Sequence, residues 1–505
     1  MKIAGLDVGT SGCKITIFDE NGRQLDRAYK AYQVRRGVGG HEIDPTALMD
    51  SVYKVIAEVA DKYDDIVGIG VASFGESFVC LDENDNPLAN IILYSDPRGA
   101  QECRWIVDKV GKKRIAELTG VVAHEMYSLP KIMWLKNNRS RKFALTKKIL
   151  LVEDYVVYSL TGNAIIDYAL AARSMAFDIN SLDWNEEILD AAGIDKSLFS
   201  KPVPSGTDAG EITEKTAQKT GLLKSTHIIA ASHDQIVAAI GSGAFKKDVA
   251  VDGAGTVQCY TPIFEGVPDV DVMMSGNYVI VPYVIPGEYT TIAFSHMGGA
   301  LLQWCTDYVA KYEKEQAKNV GISVNELLET QYSRKRQDEG LDEDGPSGML
   351  VLPHFAGAAL PYNDTGSKGA IIGMTAETSP ADIYRGCMEG VCYEMYLNYS
   401  NLIKAGAVPK KLHATGGGAK SPVWMQMKAD VLGVPIVALK SVDAGTVGSA
   451  MLTGIALGIF DNLEQAAKIM VEEITTYEPR AYYHEEYMKI YEKYSKVYDA
   501  VRCLV

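Results

Sequence analysis

Two segments about half a chain apart open in the same way. The first runs Ile3-Ala4-Gly5-Leu6-Asp7-Val8-Gly9-Thr10-Ser11-Gly12-Cys13-Lys14-Ile15-Thr16-Ile17-Phe18. The second runs Val249-Ala250-Val251-Asp252-Gly253-Ala254-Gly255-Thr256-Val257-Gln258-Cys259-Tyr260. Each is a short apolar run, an Asp, a Gly-rich turn with a Thr, and a second run with β-branched residues. One such pattern arises easily by chance. Two of them imply a duplicated α/β domain with a cleft between the copies. The element after the turn matters as much. In a dinucleotide-binding unit or a P-loop the glycine turn opens a helix. Here Ile15, Ile17 and Phe18 lead into the turn Asp19-Glu20-Asn21-Gly22, which reads as a β-hairpin. A hairpin tip can still hold phosphate, because successive backbone N–H groups in a glycine-rich turn form an anion nest. Thr10 and Ser11 add hydroxyl donors there and Lys14 adds positive charge. The plainer alternative is a structural hairpin.

At 505 residues the chain has room for two large domains or three smaller ones. The repeat favours two, over 1–244 and 245–505. The formal net charge of −15 argues against general nucleic-acid binding and against adhesion to anionic membranes. The cysteines are scattered, with no Cys-x-x-Cys and no zinc-like Cys/His spacing, so they read as reduced thiols of a cytoplasmic protein. Met1-Lys2-Ile3 runs straight into a strand-like segment, and no signal peptide is expected. Ala444 to Phe460 is uncharged but glycine-rich and too short to span a bilayer. It reads as a buried packing helix whose small residues permit close helix–helix approach.

Further along, strand and helix patterns alternate. Ile66 to Ala72 reads as a strand, Ser73-Phe74-Gly75-Glu76 as a loop and Phe78 to Leu81 as the next strand. His227 to Ala231 is strand-like, and Ser232-His233-Asp234 caps a helix through Ile240. Lys411 to Thr415 is a strand followed by Gly416-Gly417-Gly418-Ala419. Ser421 and Pro422 then take N-cap and N1 of a helix to Leu432, closed by Gly433. A glycine loop feeding a helix N-terminus is a site for anions. The polar stretch Gln331 to Asp344 reads as a surface excursion.

Taken in order, Asp7-Val8-Gly9-Thr10-Ser11 with Lys14, Asp234 after a strand, Gly253-Ala254-Gly255-Thr256 and Gly416-Gly417-Gly418-Ala419 resemble the FGGY carbohydrate kinases of the actin/Hsp70/hexokinase superfamily. The segment from Ser421 to Pro435 is similar to that family's C-terminal signature. The resemblance implies two RNase-H-like (actin-like ATPase) domains around ATP, Mg²⁺ and a small sugar or polyol, with a homodimer as a common assembly. It implies that Asp7 helps to hold magnesium and that Thr10, Ser11 and Lys14 face the transferred phosphoryl group. Gly255 and Thr256 would cradle phosphates, Gly417, Gly418 and Ala419 would lie against the adenosine, and Asp234 would be the general base. Glu76 aligns with a hydroxyl-binding acid of glycerol-kinase-like members. Tyr94-Ser95-Asp96-Pro97-Arg98 resembles the Trp-x-Asp-x-Arg stretch of xylulokinases. Glu76, Asp96, Arg98, His233, Asp234 and Gln235 are therefore the expected sugar contacts. For Asp96 and Arg98 a local ion pair is the alternative, for Glu76 a solvated loop acid, and for His233 a satisfied histidine.

Three departures sit at the sugar end. Phe74-Gly75-Glu76 stands where xylulokinases carry a Met-His pair, Tyr94 replaces Trp, and His233-Asp234-Gln235 replaces Gly-Asp-Gln. The expected reaction is phosphorylation of a neutral acceptor, D-xylulose to D-xylulose 5-phosphate first. Another ketopentose, a polyol or gluconate are alternatives of the same class. A non-kinase ATPase or a sugar-sensing regulator is the alternative of another class.

Overall fold

The structure, a computed structural model, describes residues 1–37, 40–440 and 443–504. Two six-stranded sheets organise it. The first contains β1 (Lys2–Val8), β2 (Gly12–Asp19), β3 (Gln24–Ala31), β4 (Ile66–Ser73), β5 (Thr207–Glu211) and β6 (His227–His233), in spatial order β5-β6-β4-β1-β2-β3. The second contains β7 (Val249–Ala254), β8 (Gln258–Thr261), β9 (Ala293–Ser295), β10 (Lys411–Thr415), β11 (Ile436–Leu439) and β12 (Glu473–Tyr477), in order β9-β8-β7-β10-β11-β12. Strand direction obeys one plan in both. Three strands run antiparallel (β1-β2-β3 and β7-β8-β9), two parallel neighbours lie on the other side, and an antiparallel edge strand closes the sheet. The repeated Asp-Gly segments are thus the first hairpin of each sheet. Ile3, Ala4 and Leu6 on β1, with Ala250 on β7, are fully buried, as central strands covered on both faces require.

Four helices position the site: α1 (Asp234–Gly241), α2 (Val324–Asp338), α3 (Pro422–Leu432) and α4 (Ala444–Ala456). Their ends obey local chemistry. α3 has Ser421 as N-cap, Pro at its first turn and Gly433 left-handed (φ 70°) at its C-terminus. Helix α2 occupies most of the stretch expected as a surface excursion. Its Tyr332 is buried, which supplied the apolar face that the polar composition hid. Helix α4 comes after the second sheet's β11 in sequence, yet it packs on β1, β4 and α1 of the first half. The approach is backbone to backbone. A Cβ on Gly5 would fall 2.0 Å from the Thr446 carbonyl oxygen, and one on Gly448 would fall 1.9 Å from that of Val237. Only glycine fits at such contacts. Among the described residues no helix is long and apolar enough to cross a membrane, and all eight cysteines are free.

Candidate active site

The β1–β2 register sets Asp7 opposite Lys14. Lys14 Nζ lies 3.1 Å from Asp7 Oδ2 and 2.8 Å from Oδ1 of Asp443, the residue just before α4. Burial pushes the Asp7 carboxyl up to about 6. Lys14 opposes that shift, and Asp234 and Asp443 add to it. Burial pulls the Lys14 ammonium down, but Asp7 and Asp443 outweigh it and hold the group above its ordinary value. The hairpin tip is closed by Gly9 N–H donating to Gly12 O at 2.9 Å. Thr10 is half-buried and Ser11 exposed on that tip.

Strand β6 ends in His233, and Asp234 begins α1. The backbone N–H of Gln235 donates to His233 Nδ1 at 3.2 Å. That nitrogen is therefore an acceptor, and burial holds the ring neutral by pushing His233 down to about 4. Asp234 Oδ1 sits 3.1 Å from the same Nδ1, which has no proton to give it. The oxygen is buried and has no hydrogen-bond partner among the described residues. Burial also raises the Asp234 carboxyl to about 6, against the pull of the Gln235 amide, Arg173 and Lys14. A buried carboxylate oxygen with an open lone pair and a pKa near working pH is suited to take a proton from a hydroxyl. Gln235 begins the same turn and is half-buried.

Glu76 is buried and left-handed, with φ 62°. This conformation is uncommon for a residue with a side chain. Arg173 holds it there: Nε donates to Glu76 Oε1 at 2.6 Å, and an Nη2 contact reaches the same oxygen. The guanidinium also lies over the Tyr127 ring. Glu76 is thus neither solvated nor a lone acid. Asp96 is different. Its carboxylate accepts from Arg98 N, Nε and Nη2 and from His41 N, at 2.5–2.9 Å. Four donors fill both oxygens. Arg98 in turn reaches Glu42 Oε1 at 2.8 Å. Arg98 and the His41 amide together therefore account for every acceptor site of Asp96. Beneath it Lys131, fully buried, donates to the carbonyl oxygens of Asp96 and Arg98 at 2.6 and 3.1 Å, and burial lowers it to about 8.

The second half contributes a cleft of about 990 Å³. Gly255, Thr256, Gly417 and Gly418 line it, with Lys420, Gln303, Asn325, Glu326 and Glu329. The Gly255 and Thr256 carbonyls are tied to the amides of Gly299, Gly298 and Ala300 at 2.8–3.1 Å. Ser421 caps α3 and donates to Glu329 Oε1 at 3.0 Å. A Cβ on Gly417 would meet nothing within 4 Å. Ala419 packs towards the core, while its neighbour Lys420 faces the cleft. Lys420 was within reach of sequence reasoning, being next to the glycine loop. Arg173, Asp443 and the α2 residues were not, because only the fold brings them to the site.

The arrangement has counterparts. Residues 2–241 match the N-terminal domain and residues 265–457 the C-terminal domain of the FGGY family of carbohydrate kinases. The chain belongs to this FGGY family. A xylulose kinase of Lactococcus lactis is 28% identical over 506 residues, covering 98% of this chain and 96% of that protein. A gluconokinase of Bacillus subtilis is 27% identical over 471 residues, covering 92% and 90%. The crystal structure of a ligand-bound xylulose kinase from Lactobacillus acidophilus superposes with a TM-score of 0.87 at 25% identity, over 99% of this chain and 98% of that one. As an FGGY member the protein is an ATP-dependent carbohydrate kinase with a two-domain actin-like fold, acting on a small sugar or polyol. Among the described residues no three of His, Cys, Asp and Glu form a ready-made metal cage.

Proposed function

We propose that this FGGY kinase transfers the γ-phosphoryl group of ATP, with Mg²⁺, to a hydroxyl of a neutral ketose or polyol, with D-xylulose the first candidate. One observation carries the reading. Asp234 Oδ1 is buried, unpartnered and on a carboxyl raised to about 6, so it is ready to accept the proton of the attacking hydroxyl. The hydroxyl oxygen then bonds to phosphorus as the bond to ADP breaks, and the proton rests on Asp234. Lys14, Thr10 and Ser11 face the transferred group from the first hairpin, and Gly255 and Thr256 face the phosphates from the second. Gly417 and Gly418 lie against the adenosine.

The metal fits the donor set. Asp7 and Asp443 both pair with one lysine and Asp234 adds its charge to Asp7, an excess of negative charge that favours a divalent cation. Magnesium keeps several waters and needs only one or two carboxylates besides phosphate. When bound it would offset charge on the phosphoryl oxygens, with Asp7 the residue that holds it.

The preference for a neutral acceptor comes from charge at the sugar end. Glu76 and Asp234 are two carboxylates and Arg173 offsets one of them. The remaining negative charge disfavours an aldonate. Names of relatives point both ways, to xylulose and to gluconate. ADP release over D-xylulose, D-ribulose, glycerol and gluconate tests the reading. D-xylulose should lead, and Asp234→Asn should lower its turnover by about 10²–10⁴-fold. Preferential turnover of gluconate, or near-normal turnover by Asp234→Asn, overturns it.

A further inference from the structure

The Glu76–Arg173 pair leaves one donor over. Arg173 gives Nε and Nη2 to Glu76 Oε1, but Nη1 is buried and has no partner among the described residues. A buried donor without an acceptor is costly. Nothing in the packing relieves it: the guanidinium face rests on Tyr127. The position is telling. The Arg173 chain lies beside Gly75, where an added Cβ would meet Arg173 Cγ at 3.3 Å and the His233 ring at 3.0 Å. Arg173 thus sits against the turn that carries Asp234, and each of the two groups shifts the other's ionisation.

We infer that Arg173 is a substrate-binding and specificity-determining residue whose Nη1 donates a hydrogen bond to an oxygen of the acceptor sugar. The inference rests on the proposed sugar-kinase reading of this cleft. A guanidinium only donates, so the oxygen opposite must accept. A carbonyl oxygen, which has no proton of its own to place, meets that demand better than a hydroxyl. Arg173 therefore favours the keto form of a sugar over the corresponding reduced polyol. Asp167 supports the geometry. It accepts from the amides of Ala169 and Leu170 in the first turn of the short helix Tyr168–Ala172, which Arg173 directly follows, at 3.0 and 3.1 Å, and from Ser232 Oγ, just before His233, at 2.8 Å. One carboxylate thereby holds Arg173 and Asp234 in a common frame.

The test is Arg173→Lys, which keeps a cation for Glu76 and removes the second arm of the fork, with Arg173→Met alongside it. KM and kcat for D-xylulose, D-arabinitol and ATP, and the melting temperature, are measured on each. In Arg173→Lys the sugar KM should rise roughly ten- to a hundredfold, the range for losing a hydrogen bond from a charged donor. The ATP KM and melting temperature should stay as in the wild type, and the ratio of kcat/KM for ketose over polyol should fall towards one in both variants. Unchanged sugar KM in a folded Arg173→Lys, or equal rises in the KM of sugar and ATP, overturns the inference. If the wild type proves to prefer another acceptor, the substrate proposal fails by itself. Arg173 is then scored on that acceptor's KM by the same split.

Discussion

The two hairpins share one pattern and handle the same aspartate in opposite ways. In the first, Asp7 pairs across the ladder with Lys14, and both stay partly open to the cleft, at 17% and 29% exposure. In the second, Asp252 lies opposite Tyr260, and its countercharge comes from Lys428 on α3, at 2.7 Å with both side chains fully buried. Gln258 closes that cluster by accepting from Lys428 and donating to Asp252. The first copy keeps an electrostatic site available to a ligand. The second converts the equivalent acid into internal scaffolding and leaves Gly255 and Thr256 to line the cleft. The lesson is that a repeated motif preserves the backbone turn, while the source of the countercharge decides whether the acid takes part in chemistry.

That contrast can be broken. The largest effect is expected at the sealed copy. Asp252→Asn leaves the Lys428 ammonium buried without a countercharge and should cost about 3–5 kcal/mol in denaturant titration. Turnover per folded molecule should be nearly kept. A stable but inactive variant would mean that Asp252 belongs to the chemistry after all. Next in size, Asp7→Asn should lower kcat by about 10²–10³-fold, the scale for removing one electrostatic contact to the reacting group. Its melting temperature should barely move, so steady-state kinetics and calorimetry together separate the two aspartates. Gly417→Val sharpens the comparison for the backbone nests. A side chain projecting into the cleft should weaken ATP binding about tenfold or more by titration calorimetry, with the fold intact.

The smallest effect concerns Asp234. Its folded carboxyl titrates near 6, above the ordinary value of 3.8. The native state thus holds this proton more tightly than the unfolded chain, and the carboxyl opposes folding increasingly as pH rises from about 3.8 to 6. Asp234→Asn should therefore stabilise the unliganded enzyme at pH 7 by at most about 3 kcal/mol, and the gain should vanish near pH 4. In the wild type, kcat/KM for the sugar should fall about tenfold per pH unit below 6. A flat profile down to pH 5 would remove the base assignment.

Much of the fold was legible because its signals are local. The paired Asp-Gly hairpins, the Ser421-Pro422 helix start and the Gly433 stop need only neighbouring residues to be read. Asp234 was legible for the same reason, as an acid at a strand-to-helix junction. The partners were not. Whether Glu76 is a free acid depends on Arg173, 97 residues away. Whether Asp96 has an open lone pair depends on His41 as well as on Arg98. Local pattern says which acid stands at a turn, and only tertiary contact says what neutralises it. The buried Tyr332 in a polar stretch illustrates the same limit, since one aromatic side chain per few turns is too sparse a period to see.

The backbone contacts of α4 have a mechanical consequence. Where a carbonyl presses directly on a glycine, there are no side chains between them to tilt or slide, so α4 is seated on the first sheet without play. Asp443, at the head of α4, is carried with them although it comes after β11 in sequence, and it remains beside Lys14 and Asp7. A charged trio is thereby mounted on one block, although its third member is supplied by the far half of the sequence.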